Sequence, residues 1–229
     1  MITSAANPRL KLVRKLQSGR QRRKLGLFAV EGEDLVDAGL AASLQPVDIL
    51  RAGDDVDPEL LADVSTLAHA SRVIAVFRTA DLPRLEPSDN LSQGLALWRV
   101  ADPGNVGTLI RTADGFGAFV CLSAGCADPT GPKSLRASAG AIFRVPIGRF
   151  DEAPGRRIAL VAHGGRLLSE VELDPGACFV LGAEREGLPA EVAAGCDEQA
   201  TISLADGAES LNVAAAGSIA LYEWARRRS

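Results

Sequence analysis

The amino-acid sequence predicts a mixed α/β fold built on a parallel sheet. Short apolar runs that suit buried strands alternate along its 229 residues with segments whose apolar positions recur at helical spacing. In the second half these runs are apolar throughout, which is typical of parallel strands covered on both faces. Hydrophobic residues make up 47% of the chain and aromatic residues only 4%, so we expect a large core of Leu, Val, Ala and Ile.

The first part of the chain predicts a small α/β sandwich that begins with a basic segment. A turn or helix start at Asn7 is followed by a short apolar stripe of Leu10, Val13 and Leu16. Three strands then alternate with two helices, and Pro58 suits an early position in the second helix. The predicted order is strand 28–30, helix 33–42, strand 47–50, helix 58–70 and strand 73–77.

A polar segment at roughly 81–93 predicts a linker between two domains. It contains Pro83 and Pro87 within a run of polar residues. We therefore expect a small N-terminal domain at 1–85 and a larger C-terminal domain at 94–229.

The second part predicts a longer series of strands and helices. A Gly- and Pro-rich stretch at 123–142 carries a short basic helical piece around Lys133 and Arg136. The last segment, 210–228, predicts a long Ala-rich helix that is apolar nearly all the way round, and such a helix is usually buried against the sheet or a second subunit. The predicted strands are 95–100, 118–122, 143–147, 158–162, 178–181 and 200–204.

The charge distribution restricts nucleic-acid binding to one part of the chain. A net charge of −4 and a pI near 5.3 argue against a wholly basic nucleic-acid binder. The first 30 residues, however, contain no acid, and such a segment can bind phosphate. A solvated amphipathic helix explains the same charges equally well. The basic residues of this segment are Arg9, Lys11, Arg14, Lys15, Arg20, Arg22, Arg23 and Lys24.

Cysteine and histidine usage argues against a metal centre. The four cysteines form no CxxC pair and the chain has only two histidines, so we expect no metal ligand set and mostly buried thiols in a reducing compartment. The N-terminus lacks the apolar core of a signal peptide, and no apolar run is long enough to span a membrane. We therefore expect a cytoplasmic protein without a membrane anchor.

The first motif lies at a predicted strand-to-helix corner. Asp102-Pro103-Gly104 has turn chemistry, and the apolar residues after Asn105 fall on one helical face. This places Asn105 at the corner and Arg111 near two turns further on. A helix N-terminus offers free N–H groups to an anion or a polar ligand. On its spacing alone, the motif is equally compatible with an ordinary connection.

Two further motifs follow later strands. The segment LGAEREGLP ends a buried strand in Gly182, whose lack of a side chain would let a ligand approach the backbone closely, and places Glu184 beyond the strand end. In the third motif Ser210 is a predicted N-cap and Asn212 would lie in the first helical turn. Each motif is weak by itself, because a glycine after a strand usually marks only a turn.

Together and in this order, the three motifs resemble those of the SpoU/TrmH family of RNA ribose 2′-O-methyltransferases, a branch of the trefoil-knotted SPOUT class. The resemblance covers about residues 95–225 and is close at DPGNVGTLIRTADGFGA, LGAEREGLP and SLNVAAAGSIAL. The opening segments NPRLKLVRKL and QRRKLGLFAVEGEDLVDAGL are similar to the small substrate-binding domain of family members that act on ribosomal RNA.

The resemblance implies a knotted C-terminal domain that binds S-adenosylmethionine, a homodimer, and methyl transfer to a ribose 2′-hydroxyl of RNA. Of the expected catalytic residues, Arg111 would bind phosphate and stabilise developing charge rather than act as a base, since guanidinium stays protonated at neutral pH. The expected catalytic residues are Asn105, Arg111, Glu184, Ser210 and Asn212. The expected cofactor contacts are Leu181, Gly182, Ala183, Ile202, Leu204, Ser210 and Leu211. The expected RNA contacts are Arg9, Lys11, Arg22, Arg23, Lys133 and Arg136.

Three alternatives remain open at this point. Ribosomal RNA is favoured over transfer RNA because the chain carries a whole basic N-terminal domain rather than a short extension. A non-catalytic RNA-binding protein of the same fold is disfavoured by the complete set of motif residues. An α/β enzyme with a dinucleotide cofactor is disfavoured because Gly115-Phe116-Gly117 supplies only two glycines of the GxGxxG fingerprint.

Overall fold

The computed structural model describes residues 1–67, 69, 71–86, 93–173 and 176–228. The N-terminal part is built on three strands, β1 (Leu27–Glu31), β2 (Asp48–Arg51) and β3 (Val73–Arg78). They form an antiparallel sheet in the order β1-β3-β2. The helices of this part are α1 (Pro8–Leu16), α2 (Gly19–Leu25), α3 (Glu33–Ala41) and α4 (Pro58–Ala62). The predicted alternation of strands and helices is thus confirmed.

Helix α1 begins and packs as its sequence predicts. The side chain of Asn7 accepts a hydrogen bond from the backbone N–H of Arg9 at 2.9 Å and so caps the helix. The apolar stripe of Leu10, Val13 and Leu16 is buried against the three-stranded sheet in one cluster with residues such as Ile74.

The helix predicted over 58–70 is wrong in its length, because α4 ends at Ala62. Tertiary contacts replace the helical bonds that would follow. Gln17 Nε2 donates to the carbonyl of Val64 at 2.9 Å, and the hydroxyls of Ser65 and Thr66 donate to the carboxylate of Glu31. Two positions of the predicted helix, 68 and 70, lie outside the described residues.

The C-terminal part is built on a seven-stranded sheet in which every described pair of strands is parallel. This confirms the parallel sheet predicted from the apolar runs. Its strands are β4 (Gln93–Leu97), β5 (Phe119–Leu122), β6 (Ile147–Arg149), β7 (Arg156–Leu160), β8 (Arg166–Leu167), β9 (Ala177–Leu181) and β10 (Glu198–Thr201). Their order is β6-β5-β4-β9-β7-β10-β8. The helices are α5 (Pro103–Gly115), α6 (Pro132–Ser138), α7 (Ala190–Ala194) and α8 (Val213–Arg226).

The strand predicted over 143–147 is wrong, since β6 begins only at Ile147 and a 3₁₀ turn occupies Ala141–Phe143. The reason is aromatic packing between the two sheets. The ring of Phe143 lies 5.8 Å from that of Phe77 and 6.4 Å from that of Phe28. A turn aims this side chain at the three-stranded sheet, whereas pairing in the seven-stranded sheet would not.

One hydrophobic core continues from one sheet to the other. It includes Phe28 and Phe77 from the three-stranded sheet together with Leu95 and Val106 from the larger part. The predicted linker lies between β3 and β4 in the order of the chain, and its residues 87–92 lie outside the described part. Because the core is shared, the division into domains at 1–85 and 94–229 stays a prediction.

Two further observations concern the whole chain. No helix in the described ranges is both long and apolar enough to cross a membrane. Cys121 and Cys178 are buried, as expected, whereas Cys126 and Cys196 are only partly covered, and all four thiols are free.

Candidate active site

A cavity of about 510 Å³ opens at the carboxyl ends of β7, β9 and β10. Open α/β sheets bind their ligands at this edge, and the volume is typical of small-molecule sites. The residues predicted to contact a cofactor all line it, namely Leu181, Gly182, Ala183, Ile202, Leu204, Ser210 and Leu211.

Two of these residues reach the cavity because β10 is shorter than predicted. The strand expected over 200–204 ends at Thr201. Its edge partner β8 is only Arg166–Leu167, and the pairing with that strand stops at Thr201. Beyond this point the chain leaves the sheet, which frees Ile202 and Leu204 to form part of the cavity wall.

Gly182 lines the cavity, and its lack of a side chain also permits close packing within the chain. A Cβ atom there would lie 2.1 Å from the carbonyl carbon of Gly187 and 2.3 Å from the nitrogen of Leu188. The loop closes through paired backbone hydrogen bonds between Ala183 and Gly187, of 3.1 and 2.9 Å. The close approach at Gly182 is therefore made by the chain itself, and this tight loop presents Glu184.

Glu184 joins the loop after β9 to the start of α5. One carboxylate oxygen accepts the backbone N–H of Asp102 at 3.0 Å and the side-chain amide of Asn105 at 3.1 Å. The other oxygen accepts the N–H of Ala101 at 3.2 Å. The first two motifs thus meet through one carboxylate, as expected for segments that follow neighbouring parallel strands.

Asn105 and Asn212 extend this network to the third motif. The side-chain amide of Asn212 donates to the side-chain oxygen of Asn105 at 3.1 Å. The side-chain oxygen of Asn212 accepts the N–H groups of Ala214 and Ala215, so Asn212 is the N-cap of α8. The N-cap predicted at Ser210 is therefore wrong. The helix begins at Val213 because the asparagine, which already binds Asn105, also satisfies the first free N–H groups.

The network favours the ionised form of Glu184. Partial burial alone would raise its pKa, but hydrogen bonds from the Asn105 side chain and from the backbone N–H groups of Asp102 and Ala101 outweigh that effect and hold the pKa below its usual value. The carboxylate is thus a fixed negative charge at the mouth of the cavity.

Close packing of α5 on α8 brings the two asparagines together. A Cβ atom at Gly217 would lie 2.4 Å from a methyl carbon of Leu109, so only glycine permits this approach. One turn of α5 further on, the hydroxyls of Thr112 and Ser218 are 3.0 Å apart. The helices therefore run side by side and their N-termini lie next to each other at the cavity.

Asp102 is also a site residue, although its sequence pattern predicted only a turn. Its carboxylate caps α5 by accepting the N–H groups of Gly104 and Asn105. It also receives Lys133 Nζ at 3.1 Å. The hydrogen bond from Lys133 and those from the backbone lower the pKa of Asp102. The signal in the sequence was an aspartate directly before a proline at a helix start, which is an N-cap pattern.

Arg111 and Ser210 are exposed, and the side chain of neither makes a hydrogen bond or ion pair within the described chain. Arg111 lies on the exposed side of α5 and does not line the cavity. Ser210 lines the cavity beside Asn212. The structure thus brings four of the five predicted catalytic residues to one cavity mouth, and Arg111 stands apart with a free guanidinium.

The residues predicted to contact RNA fall into different environments. Arg22 is only 6% exposed and its guanidinium binds the carboxylate of Asp128 at 2.7 Å, so it has no surface to offer RNA and we remove it from this set. Arg9 pairs with Asp48. The hydroxyl of Thr66 accepts a hydrogen bond from Arg136. Within this predicted set, the exposed cations without an ion partner in the described chain are Lys11, Arg23 and Arg136, while Lys133 is exposed in its pair with Asp102.

One wall of the cavity is formed by residues that no sequence motif predicts. Leu160, Val161 and Ala162 line it from the end of β7. These residues were predicted only as the end of a strand, and apolar side chains without turn or polar chemistry carry no signal of a ligand. Their role follows from the strand order, in which β7 lies between β9 and β10.

Comparisons with known proteins agree with this geometry. The model of the SpoU rRNA Methylase family matches residues 93–222. The chain is 33% identical to an uncharacterized tRNA/rRNA methyltransferase of Synechocystis sp., over 99% of this chain and 93% of that protein. It is 30% identical to the 23S rRNA (guanosine(2553)-2′-O)-methyltransferase RlmP of Bacillus subtilis, over 96% and 97% of the two chains. Its fold matches the AdoMet-bound rRNA methyltransferase from Sinorhizobium meliloti with a TM-score of 0.87 and 27% identity, over 99% and 97% of the chains.

Proposed function

Because the chain belongs to the SpoU rRNA Methylase family, we propose that it transfers a methyl group from S-adenosylmethionine to a ribose 2′-hydroxyl of RNA. The observation that carries this proposal is the hydrogen-bonded chain Glu184–Asn105–Asn212 at the mouth of the cavity. It unites the three motifs of the family at the sheet edge where ligands bind.

The cavity residues fit S-adenosylmethionine in size and chemistry. Leu160, Ile202 and Leu211 offer apolar walls for an adenine ring, and Leu211 is 38% exposed in a position to cover it. The backbone N–H groups of Leu204, Ser210 and Leu211 donate to no other described residue, so they are free to bind the polar edge of the base and the ribose. When bound, the cofactor supplies an electrophilic methyl group on a positively charged sulfur.

Glu184, Asn105 and Asn212 act as positioning residues in this proposal. Each side chain is held by at least two hydrogen bonds, so the three fix the geometry between the cavity and the start of α5. A fixed arrangement aligns the nucleophile with the methyl group before reaction, which supplies much of the rate gain in transfer reactions. Ser210, which has a free hydroxyl at the same mouth, would hold the substrate or cofactor.

Arg111 would act on the RNA rather than on the cofactor. Its free guanidinium can bind a phosphate through two parallel hydrogen bonds and presents a permanent charge to the developing 2′-oxyanion. Because it lies outside the cavity, the RNA has to extend from the cavity mouth across the exposed side of α5. We do not assign it as a base, since a guanidinium group has no lone pair available to accept a proton at neutral pH.

Ribosomal RNA is the favoured substrate. RlmP, which the chain matches over 96% of its length, is named for 23S rRNA, and the N-terminal part adds exposed cations such as Lys11 and Arg23. The name of the Synechocystis relative keeps transfer RNA as the second candidate. We further propose a homodimer formed through the C-terminal part, the trefoil knot implied by the family resemblance, and a cytoplasmic location.

The test is transfer of labelled methyl groups from S-adenosylmethionine to unmodified 23S rRNA, 16S rRNA and transfer RNA transcripts, followed by mapping of the alkali-resistant linkage. Label at one ribose of ribosomal RNA is the expected result. Label only in transfer RNA would move the substrate to the second candidate. A protein that binds S-adenosylmethionine but labels neither free RNA nor isolated ribosomal subunits would be an RNA binder rather than an enzyme.

A further inference from the structure

Arg99 occupies a backbone conformation that favours glycine. It follows β4 and has a φ of +53°, in the left-handed region where a side chain on Cα is disfavoured. Its backbone N–H donates to the hydroxyl of Ser123 at 2.9 Å, which holds this conformation in place. Glycine would fit this backbone conformation with less strain. The backbone therefore does not explain why an arginine is present, and its side chain has to be considered.

The side chain of Arg99 rests against Gly125, and its guanidinium has no partner in the described chain. A Cβ atom at Gly125 would lie 3.3 Å from Cγ and 3.4 Å from Nε of Arg99, so the arginine stem rests on the bare backbone of this glycine. Arg99 is exposed, and its guanidinium has no hydrogen bond or ion pair within the part of the chain that the structure describes. Its five N–H donors are therefore available to an external anion.

Neighbours of Arg99 in the chain are attached to the candidate active site. The N–H of Trp98 donates to the carbonyl of Leu181 at 2.8 Å, and the N–H of Ala101 donates to Glu184 at 3.2 Å. Arg99 thus stands between two anchors of the cavity mouth. The cation of Arg99 is thus carried by a segment whose residues on both sides bind the mouth of the cavity, which suits a contact with a nucleic acid whose ribose enters the site.

The same position connects to the basic N-terminal part. The N–H of Ala127 donates to the carbonyl of Val100, and Asp128, the next residue, binds Arg22 of α2. The loop that supports the Arg99 stem is therefore also the loop that holds α2. The exposed cations of α2 that have no ion partner in the described chain are Arg20, Arg23 and Lys24.

We propose that Arg99 binds a backbone phosphate of the substrate RNA next to the target nucleotide and so continues the cationic surface of α2 to the active site. This inference rests on the proposed function, since it assigns a further contact of the same substrate. Arg99 is a substrate-positioning residue in this proposal, because it reaches neither the cofactor cavity nor the Glu184 network. The strain at its Cα is consistent with a position selected for binding rather than for stability.

The test compares Arg99→Gly, which removes the charge and relieves the backbone, with Arg99→Lys, which keeps the charge. Ser43→Gly is the matched backbone control, because Ser43 has a φ of +65° in the loop after α3 and its side chain makes no hydrogen bond within the described chain. The probe is an unmodified 23S rRNA transcript, bound at several KCl concentrations. Melting temperature, binding of S-adenosylmethionine and the KM and kcat of methyl transfer are measured in parallel.

We expect Arg99→Gly to melt at the same or a higher temperature and to bind S-adenosylmethionine normally, while its RNA affinity falls about tenfold, as for loss of one charge-assisted contact. The slope of log K against log salt should become shallower by about 0.7 to 0.9, the value for one phosphate. The effect should appear in KM for RNA rather than in kcat. Arg99→Lys should keep the salt slope, and Ser43→Gly should keep the affinity.

Three results would count against the assignment or the function, and they are distinguishable. If the unaltered protein binds RNA, and Arg99→Gly changes neither the RNA affinity nor the salt slope, the proposed contact of Arg99 is wrong but the proposed function still stands. An equal loss of affinity in Ser43→Gly would also overturn the Arg99 contact, because the effect would then follow from the backbone. An unaltered protein that neither binds nor methylates ribosomal RNA or transfer RNA, as transcripts or as isolated ribosomal subunits, would overturn the proposed function itself.

Discussion

Glu184 is the residue on which the geometry of the cavity mouth depends most directly. Its carboxylate accepts two backbone N–H groups and the side-chain amide of Asn105, and no other described side chain reaches all of these groups. Replacement of this carboxylate by an amide of the same shape keeps the volume. At one of the two oxygen positions, however, the N–H groups of the new amide would face the N–H groups that now donate to Glu184. A residue that is exposed on one side can therefore still be essential to the arrangement.

We predict that Glu184→Gln lowers the methyl-transfer rate about 10- to 100-fold, as for loss of outer partners that orient a site. Its effect on stability should depend on pH. The pKa of Glu184 is lower in the folded protein than in the unfolded chain, so its stabilising contribution is fully present above the unfolded value, near 4.3, and is lost as pH falls through the lower folded value. Urea unfolding of both proteins across this pH range should show their difference shrinking at acid pH. A difference that grew on acidification would contradict the assignment.

Arg111 provides a prediction of the opposite kind, because its side chain makes no hydrogen bond or ion pair within the described chain. Arg111→Ala should leave the melting temperature and S-adenosylmethionine binding nearly unchanged while turnover falls about 10²- to 10³-fold, the usual cost of one charge-stabilising donor. Arg111→Lys should recover only part of the activity, since an ammonium group cannot bind phosphate through a planar fork. Normal turnover in Arg111→Ala would remove this residue from the mechanism.

At the scale of elements, the N-cap of α8 combines two roles that one pair of substitutions can separate. Asn212 caps the helix with its oxygen and binds Asn105 with its amide nitrogen. We predict that Asn212→Ala loses about 1 kcal/mol of stability through the cap. Asn212→Asp should keep the cap and the stability but lose the donor to Asn105, and its methyl-transfer rate should fall as far as that of Asn212→Ala. Ser210→Ala is the control for stability, since Ser210 makes no cap.

A largely buried ion pair joins helix α2 to the larger part. Arg22 donates to Asp128 and to the carbonyls of Leu16 and Gln17, and Thr130 donates to the remaining oxygen of Asp128. Removing one partner leaves an uncompensated buried charge, so we predict that Asp128→Ala destabilises the protein by about 3–5 kcal/mol in urea unfolding. Arg23→Ala, one position along the helix and exposed, should cost less than about 0.5 kcal/mol. Equal effects of the two substitutions would contradict the role of the pair.

At the scale of the whole molecule, the sequence predicts the parts that depend on local pattern. Glu184 was expected beyond a strand end and Asn105 at a strand-to-helix corner, and the hydrogen bond between them joins these two positions. The burial of Arg22 was not predictable, since its partner Asp128 lies 106 residues away. The N-cap at Asn212 was missed for the same reason, because its choice over Ser210 depends on a contact with a distant helix.

The outer surface of α8 supports the last prediction, which concerns assembly. Tyr222 is 57% exposed and Ile219 is 38% exposed, three residues apart on one side of this helix, whereas other positions such as Leu221 are buried. Apolar residues at one helical face favour contact with a second copy. We predict that Tyr222→Asp converts a dimer into monomers in analytical ultracentrifugation and lowers methyl transfer, because α8 also begins at the cavity through its cap.

Val47→Asp is the matched control for this substitution, since Val47 is 42% exposed next to the three-stranded sheet. It should leave both association and activity unchanged if the interface lies on α8. A protein that is monomeric and active before any substitution would contradict the dimer. If the dimer persists in Tyr222→Asp but dissociates in Val47→Asp, the interface lies in the N-terminal part rather than on α8. The cavity beside α8 would then be formed by one chain alone.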